Sequence, residues 1–451
     1  MYSIPLAEQV ELQLRGTQLR FDQLVERVPM LSRLAREQGL SRARSLEDVG
    51  VLLVPHTALK SYALSWLENN RFDRLTAWLQ AFTAHDLSGV RTGTCETLDD
   101  WIDTLDAQTA LRIVHSSGTS GKLSFLPRDD VDSQQYLYGY LRQFDSFAGE
   151  PSHLGTAPAK APILYLQYRR GAYAQQRMLD VLQRELFGRD PSMIVSINPG
   201  RLSADVLSLG GRLRAAERQR ETTRINVSQK LLARRDTFLK EQKDAEVYLE
   251  RFLVEVGTRF KGMVVSIVGS LPQLYRVSAA GLALGQENMF DAGSAVAGGG
   301  GLKGANLPDN WRATITRYVG ASQPRLGYGM SELTGITRIC PAGHFHLPPW
   351  QVPFLLDPTT GRQFPRTGVH TGRYGVFDLN AQSFWAGVLT GDEVTLSWGD
   401  AIPCGCGRIG PYLHTNIRRY SEAEGGDDKI TCAGAPQAYE NALAHIVQTA
   451  D

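Results

Sequence analysis

Residues 113 to 128, IVHSSGTSGKLSFLPR, constrain the fold more than any other stretch, because a β-branched run empties into a loop made almost wholly of Ser, Thr and Gly. Ile113 and Val114 read as the end of a buried strand. Ser116, Ser117, Gly118, Thr119, Ser120, Gly121 and Lys122 read as a turn rich in hydroxyls, backbone N–H groups and one cation. Such a turn suits a phosphate-like anion: glycine admits close approach of backbone N–H groups, hydroxyls donate without losing a proton, and Lys122 adds a point charge. The nucleotide P-loop G-x-x-x-x-G-K-[ST] fails at two positions. Ser116 stands where its first Gly is required, and Leu123 follows Lys122 in place of the Mg-binding hydroxyl.

A chain of 451 residues exceeds one small core and predicts two or three structural units. Its 42% apolar and 21% charged residues describe an ordinary globular protein, and a net charge of +1 supplies no general field for nucleic acid or an acidic membrane. No stretch approaches the roughly 18 apolar residues of a spanning helix and no signal-peptide core opens the chain, so a cytoplasmic location without nucleic-acid or membrane partners is expected. Five cysteines do not read as a disulfide framework.

In chain order, helical spacing of Leu12, Leu14, Leu19, Phe21, Leu24 and Val25, then Leu31 and Leu34, predicts a helical N-terminal layer ending near Gly39. VLLVP predicts a short strand before Lys60, which reads as a surface residue. The polar helix ETLDDWIDTLDAQTALR leads into the signature strand, and PILYLQYRR then MLDVLQRELFG read as strand and helix of an α/β layer. Residues 203 to 262 are dense in Arg, Lys, Glu and Gln, with Leu231, Leu232, Phe238, Tyr248, Phe252 and Leu253 at helical intervals. They read as a helical insertion with a solvated charged face. A second glycine-rich turn, containing Gly299 and Gly300, follows at 298 to 304.

Three motifs complete the constellation: Tyr328-Gly329-Met330-Ser331-Glu332, Thr390-Gly391-Asp392, and Arg419 followed by Asp427-Asp428-Lys429. With the loop at 116 to 122, they resemble in order and spacing the adenylate-forming enzymes of the acyl-CoA synthetase superfamily. The form SSGTSGKLS is most similar to the branch of phenylacetate-CoA ligases, luciferase acyl-protein synthetases and EhpF-type phenazine-pathway proteins, although Leu123 and Ser124 replace the usual Pro-Lys pair. The resemblance implies an α/β fold of mixed sheets packed with helices, a small β-rich subdomain and the helical insertion. Its units are 1–110 (helical and αβ), 111–340 (nucleotide-binding core with insertion 203–262), 341–434 (β-rich, ending at a hinge) and 435–451 (a short tail in place of the family's lid domain).

The resemblance also implies ATP-dependent activation of a carboxylic acid to an acyl- or aryl-adenylate, in a biosynthetic pathway such as that of a phenazine antibiotic. Glu332 would hold Mg²⁺ and, with Lys122, act as the catalytic pair. Tyr328 would stack on adenine and Ser331 contact the α-phosphate, within the turn that includes Gly329 and Met330. Asp392 would accept the ribose hydroxyls, Arg419 and Asp428 would form the hinge, and Gly299 and Gly300 would line the nucleotide and acyl pockets. The acyl group would pass to a carrier protein, CoA or a reductase partner; Cys432 as an acyl acceptor has only Lys429 nearby to activate it. The alternative is a non-catalytic or partner-dependent binder of nucleotide or acyl-adenylate, which tolerates loss of Glu332.

A second cluster is spaced C-x3-H at Cys340 and His344, with His346 next and CGCGR carrying Cys404 and Cys406. Three thiolates with one imidazole make a tetrahedral zinc set, in which His346 is a fourth or spare ligand; a buried or turn pair of cysteines is the other reading. The identity of the acid is not written in any short motif, and the flat space beside the Gly-rich turn favours an aryl group.

Overall fold

The computed structural model describes residues 2–116, 122–142, 160–219, 229–233, 235–299, 307–320, 325–420, 439, 441–443 and 445–446. The first strand, β1 (Val54–Pro55), is followed by an antiparallel hairpin of β2 (Leu111–His115) and β3 (Phe125–Asp129), in which His115 pairs with Phe125. The signature loop therefore connects two hairpin strands. A P-loop would instead run from strand to helix.

Next come β4 (Ile163–Arg170), β5 (Ile194–Arg201), β6 (Ser266–Ser270), β7 (Ala295–Gly299), β8 (Arg325–Tyr328) and β9 (Thr337–Arg338). They form a six-stranded sheet in the order β5-β4-β6-β7-β8-β9, parallel throughout except for β9. Parallel strands need crossovers that cover both faces. Helices Ala174–Val181, Arg235–Arg259, Leu271–Ala283 and Trp311–Val319 supply them, and Phe252, Val256, Leu274 and Ile315 pack against Leu164, Ile267 and Val296.

The remaining strands are β10 (Phe345–His346), β11 (Gln351–Leu356), β12 (Val369–Asp378), β13 (Gly387–Ser397), β14 (Tyr412–Leu413) and β15 (Arg418–Arg419). They make a seven-stranded sheet that β1 joins, parallel to β13, so the N-terminal part of the chain contributes to the β-rich layer. Among the described residues no helix is long and apolar enough to cross a membrane.

Two sequence expectations change in detail. Helix Leu6–Leu24 forms as read, but it buries Gln9, Gln13, Thr17, Phe21 and Leu24, leaving Leu12 and Leu19 47% and 54% exposed. Its inward stripe meets backbone, and Gln13 Nε2 donates to the Pro349 carbonyl at 2.9 Å, so donors take the place of methyl groups. In the insertion, Leu231, Phe238, Phe252 and Leu253 are buried as expected. Arg212 and Lys230, read as part of a solvated face, pair with Glu68 and Asp100, each at 2.7 Å.

His115 closes β2 with its backbone N–H on the Ala172 carbonyl and its ring Nδ1 2.9 Å from the Ser116 carbonyl. Burial lowers its pKa to about 4. An imidazole depressed in the fold stays neutral while the unfolded chain protonates, so its contribution is complete above about pH 6.5 and is lost as pH falls towards 4. In denaturant titrations, the stability advantage of wild type over His115→Asn is expected to shrink by on the order of 3 kcal/mol between pH 7 and 4; a constant difference would contradict a buried neutral His115.

Candidate active site

The hairpin holds the ends of the Ser/Gly loop. Ser116 N–H donates to the Ser124 carbonyl at 3.1 Å, and Ser124 N–H donates to Ser116 Oγ at 2.9 Å. Ser117, Gly118, Thr119, Ser120 and Gly121 lie outside the described residues. Lys122, expected to supply a cation to phosphate, instead donates its ammonium to the Tyr62 carbonyl at 2.7 Å, with its charge 5.4 Å from the centre of the Tyr62 ring. Tyr62 in turn donates its hydroxyl to the Leu123 carbonyl at 3.0 Å. Burial pulls Lys122 below its ordinary value. In this arrangement the side chain fastens the foot of the loop.

Glu332 stands on the turn after β8 and is only 8% exposed. Two buried side chains fix that turn. Arg128, from β3, donates to the carbonyls of Ser331 and Leu333, both at 2.6 Å. Asp378, at the end of β12, accepts from Thr334 N–H at 2.6 Å and from Thr334 Oγ1 at 2.8 Å. Burial raises Asp378 above its ordinary value, and these donors, with the nearby Arg128 charge, act in the opposite sense. Among the described residues none donates a hydrogen bond to Glu332, which leaves its oxygens as hard ligands of the kind a divalent cation takes.

Asp392 lies on β13 directly across from Arg419 of β15. Arg419 Nε donates to Asp392 Oδ1 at 2.9 Å, and the Tyr328 hydroxyl donates to Asp392 Oδ2 at 2.8 Å. Tyr328 packs edge-on to Tyr374, and burial beside the Asp392 carboxylate raises its phenol well above the ordinary value. Three motifs separated in the sequence thus meet at one place. Asp427, Asp428, Lys429 and Cys432 lie outside the described residues.

His56 belongs to the same group and was not singled out from sequence. The pairing of β1 with β13 sets Pro55 beside Leu389, and His56 Nδ1 lies 3.3 Å from the Leu389 carbonyl. Burial first, then the charge of Lys60, lowers its pKa to about 4, while Glu332 acts in the opposite direction. Lys60 is half-buried rather than a simple surface residue. A lone Pro-His after an apolar strand carries no spacing signal, which is why only the β1–β13 register reveals it.

A cavity of about 180 Å³ opens beside Gly329, Met330 and Ser331, with Tyr140, Tyr173 and Arg338 in its walls. Its floor is the ends of β6, β7 and β8. A Cβ at Gly298 would come within 2.8 Å of a Leu271 methyl, and one at Gly327 within 2.5 Å of an Ile336 methyl, so a side chain at either position would displace those neighbours. Gly299 pairs with Ser270 at the end of β7, and Gly300 lies outside the described residues.

The cysteine cluster forms, with one change of ligand. Donor atoms of Cys340, Cys404, Cys406 and His346 all lie within 4.8 Å of one another. Cys340 and Cys404 sulfurs are 3.8 Å apart, and Cys406 Sγ is 3.3 Å from His346 Nε2. A tetrahedron with metal–sulfur bonds of about 2.3 Å has a sulfur–sulfur edge of roughly 3.8 Å. His344 was expected as the fourth ligand. Its Nδ1 lies 3.3 Å from Cys404 Sγ, but the pairing of His346 with Tyr412 across β10 and β14 brings His346 into the set.

No family model matches the sequence, and no curated protein matches it. Solved structures do. 2-Hydroxyisobutyryl-CoA ligase in an open conformation, in complex with 2-HIB-AMP and CoA, matches 92% of this chain and 70% of its own at 13% identity, with a TM-score of 0.51. The same ligase in its thioesterification state matches 99% of this chain and 85% of its own, also at 13% identity, with a TM-score of 0.53. At this identity the likeness is one of fold.

The turn that carries Glu332 depends on Arg128. Arg128→Met leaves the buried Leu333 carbonyl and the part-buried Ser331 carbonyl without this donor and is expected to cost about 3 kcal/mol in urea denaturation; a loss below about 0.5 kcal/mol would contradict that dependence.

Proposed function

We propose, from the adenylate-forming fold that this chain has, that it activates a carboxylic acid as an acyl- or aryl-adenylate with release of pyrophosphate. The observation that carries the reading is the meeting of Tyr328, Asp392 and Arg419 in hydrogen-bond contact, with the charges of Glu332 and Arg419 both acting on His56. In the reaction a carboxylate oxygen attacks the α-phosphorus of ATP. The bond from that phosphorus to its bridging oxygen breaks, and pyrophosphate leaves with the electron pair.

Asp392 accepts the ribose hydroxyls, a role suited to an ionised carboxylate that only accepts. The hydroxyl-rich loop between Ser116 and Lys122 orients the departing pyrophosphate, and Lys122 positions that loop through Tyr62. Glu332 would hold Mg²⁺, whose charge would offset the repulsion between the attacking carboxylate and the triphosphate. The sulfur of a thiol then attacks the acyl carbon, the bond from that carbon to the phosphate oxygen breaks, AMP leaves with the electron pair, and the thiol proton is released. The ligase neighbours contain CoA, which supports CoA ahead of a carrier protein or a reductase.

The cluster of Cys340, Cys404, Cys406 and His346 is a structural zinc site in this reading. It joins the segment before β10 to the loop before β14, and Tyr2 lies against it with its hydroxyl on the His346 carbonyl at 3.3 Å.

ATP–pyrophosphate exchange over aryl, fatty and amino acids tests the activity. Exchange with one acid class is expected, falling about 100-fold or more in Glu332→Ala; retained Mg-ATP binding with no exchange for any acid would overturn the proposal in favour of a binding protein. Metal analysis tests the second site. About one zinc per chain is expected, lost in Cys404→Ser together with several degrees of Tm; metal-free protein with an unchanged Tm would dispose of it.

A further inference from the structure

A second cavity, of about 490 Å³, lies where helix Leu6–Leu24 meets the start of β11 and the end of β12. The proposed adenylation makes no use of it. Its volume falls within the roughly 300–1,000 Å³ of cavities that hold small molecules. The register of β11 with β12 pairs Gln351 with Asp378 and so sets Trp350 beside Leu379, whose N–H donates to the Trp350 carbonyl at 2.9 Å. Trp350, Leu379 and Asn380 thereby come to line one wall.

That wall holds two donors with nothing to donate to. Asn380 is only 8% exposed, and its Nδ2 and the Trp350 Nε1 are both buried without an acceptor among the described residues. Asn380 Nδ2 lies 3.6 Å, and a carbon of the Trp350 ring 3.4 Å, from the point where a Cβ at Gly139 would stand, so the two side chains meet at a spot that carries no side chain of its own. A buried donor left unpaired costs about 1–3 kcal/mol, which an acceptor brought by a ligand would recover. A carbonyl oxygen has two lone pairs and can accept from both.

The rest of the lining suits a flat apolar body. The rings of Tyr138 and Trp350 have centroids 6.4 Å apart and planes inclined at 60°, and Leu12 and Leu379 add apolar surface beside them.

We propose that this cavity is a separate ligand site for a small aromatic carbonyl compound, of the aryl ketone or aryl amide class, whose oxygen accepts from Trp350 Nε1–H and Asn380 Nδ2–H. The occupant adjoins the clamp on the Glu332 turn, because the Asn380 backbone N–H donates to Asp378 Oδ1 at 3.0 Å and Asp378 holds Thr334.

Acetophenone and α-methylstyrene test this, since they share one shape and differ by an oxygen in place of a methylene. In isotopically labelled full-length protein, acetophenone is expected to move the indole N–H signal of Trp350, identified by its loss in Trp350→Phe. It should bind about 10-fold more tightly than α-methylstyrene. Trp350→Phe and Asn380→Leu should each weaken acetophenone about 5- to 10-fold and leave α-methylstyrene within about 2-fold. Saturating Mg-ATP should not displace acetophenone, which separates this cavity from the proposed nucleotide site. Equal affinity for the two compounds, an unmoved Trp350 signal, or displacement by Mg-ATP would overturn the proposal. If a variant fails to fold, the comparison of the two compounds on wild type decides by itself.

Discussion

The buried pair of Arg128 and Asp378 decides whether the rest of the site exists. Arg128 comes from the hairpin, Asp378 from the seven-stranded sheet, and the turn they grip follows β8 of the six-stranded sheet. Three sheets are thereby fixed to one another through three residues of one turn, Ser331, Leu333 and Thr334. Hydrogen bonds from a charged donor to buried carbonyls contribute about 1.5–3 kcal/mol each, and losing one partner leaves the other desolvated and unpaired. Without this clamp Glu332 would ride on a short turn between β8 and β9 with nothing to fix its position.

The same clamp explains which residues could be read from sequence. Tyr328, Glu332 and Asp392 sit in short motifs whose order is visible along the chain, and the structure brings Tyr328, Asp392 and Arg419 into hydrogen-bond contact. Arg128 acts on carbonyls more than two hundred positions away, |i−j| being 203 and 205, and an acceptor carbonyl has no side-chain signature. Arg338 and His56 reach their places through strand register, Arg338 opposite Gly327 and His56 just beyond the pairing of Pro55 with Leu389. Register depends on pairing partners and cannot be read along one strand. The alternation of strands and helices was legible because periodicity is local. The polar inner stripe of helix Leu6–Leu24 was not, because its partners are loop carbonyls such as that of Pro349.

The cysteine–histidine cluster shows the same limit at shorter range. The spacing of Cys340 and His344 suggests a compact ligand pair, and His344 does lie 3.3 Å from Cys404. Yet His346 completes the set of donors, because β10 pairs with β14 and carries its ring to Cys406. Sequence spacing identified the residue types and the two segments; strand pairing set His346, on β10, among the cysteines, with His344 just before that strand.

Asp392 shows how the proposed nucleotide site is ordered in advance. Arg419 and Tyr328 occupy one lone pair on each of its oxygens. A carboxylate has about four acceptor positions, so two ribose hydroxyls can be accepted without expelling either donor. Tyr328 remains a donor because ionising it would set a second anion beside Asp392, which is part of why its phenol lies well above the ordinary value. The carboxylate is therefore aimed and held in advance by two donors from different strands. Ordering that a ligand would otherwise have to supply is already present in the fold, which is the condition under which a few hydrogen bonds would orient a triphosphate in the proposed reaction.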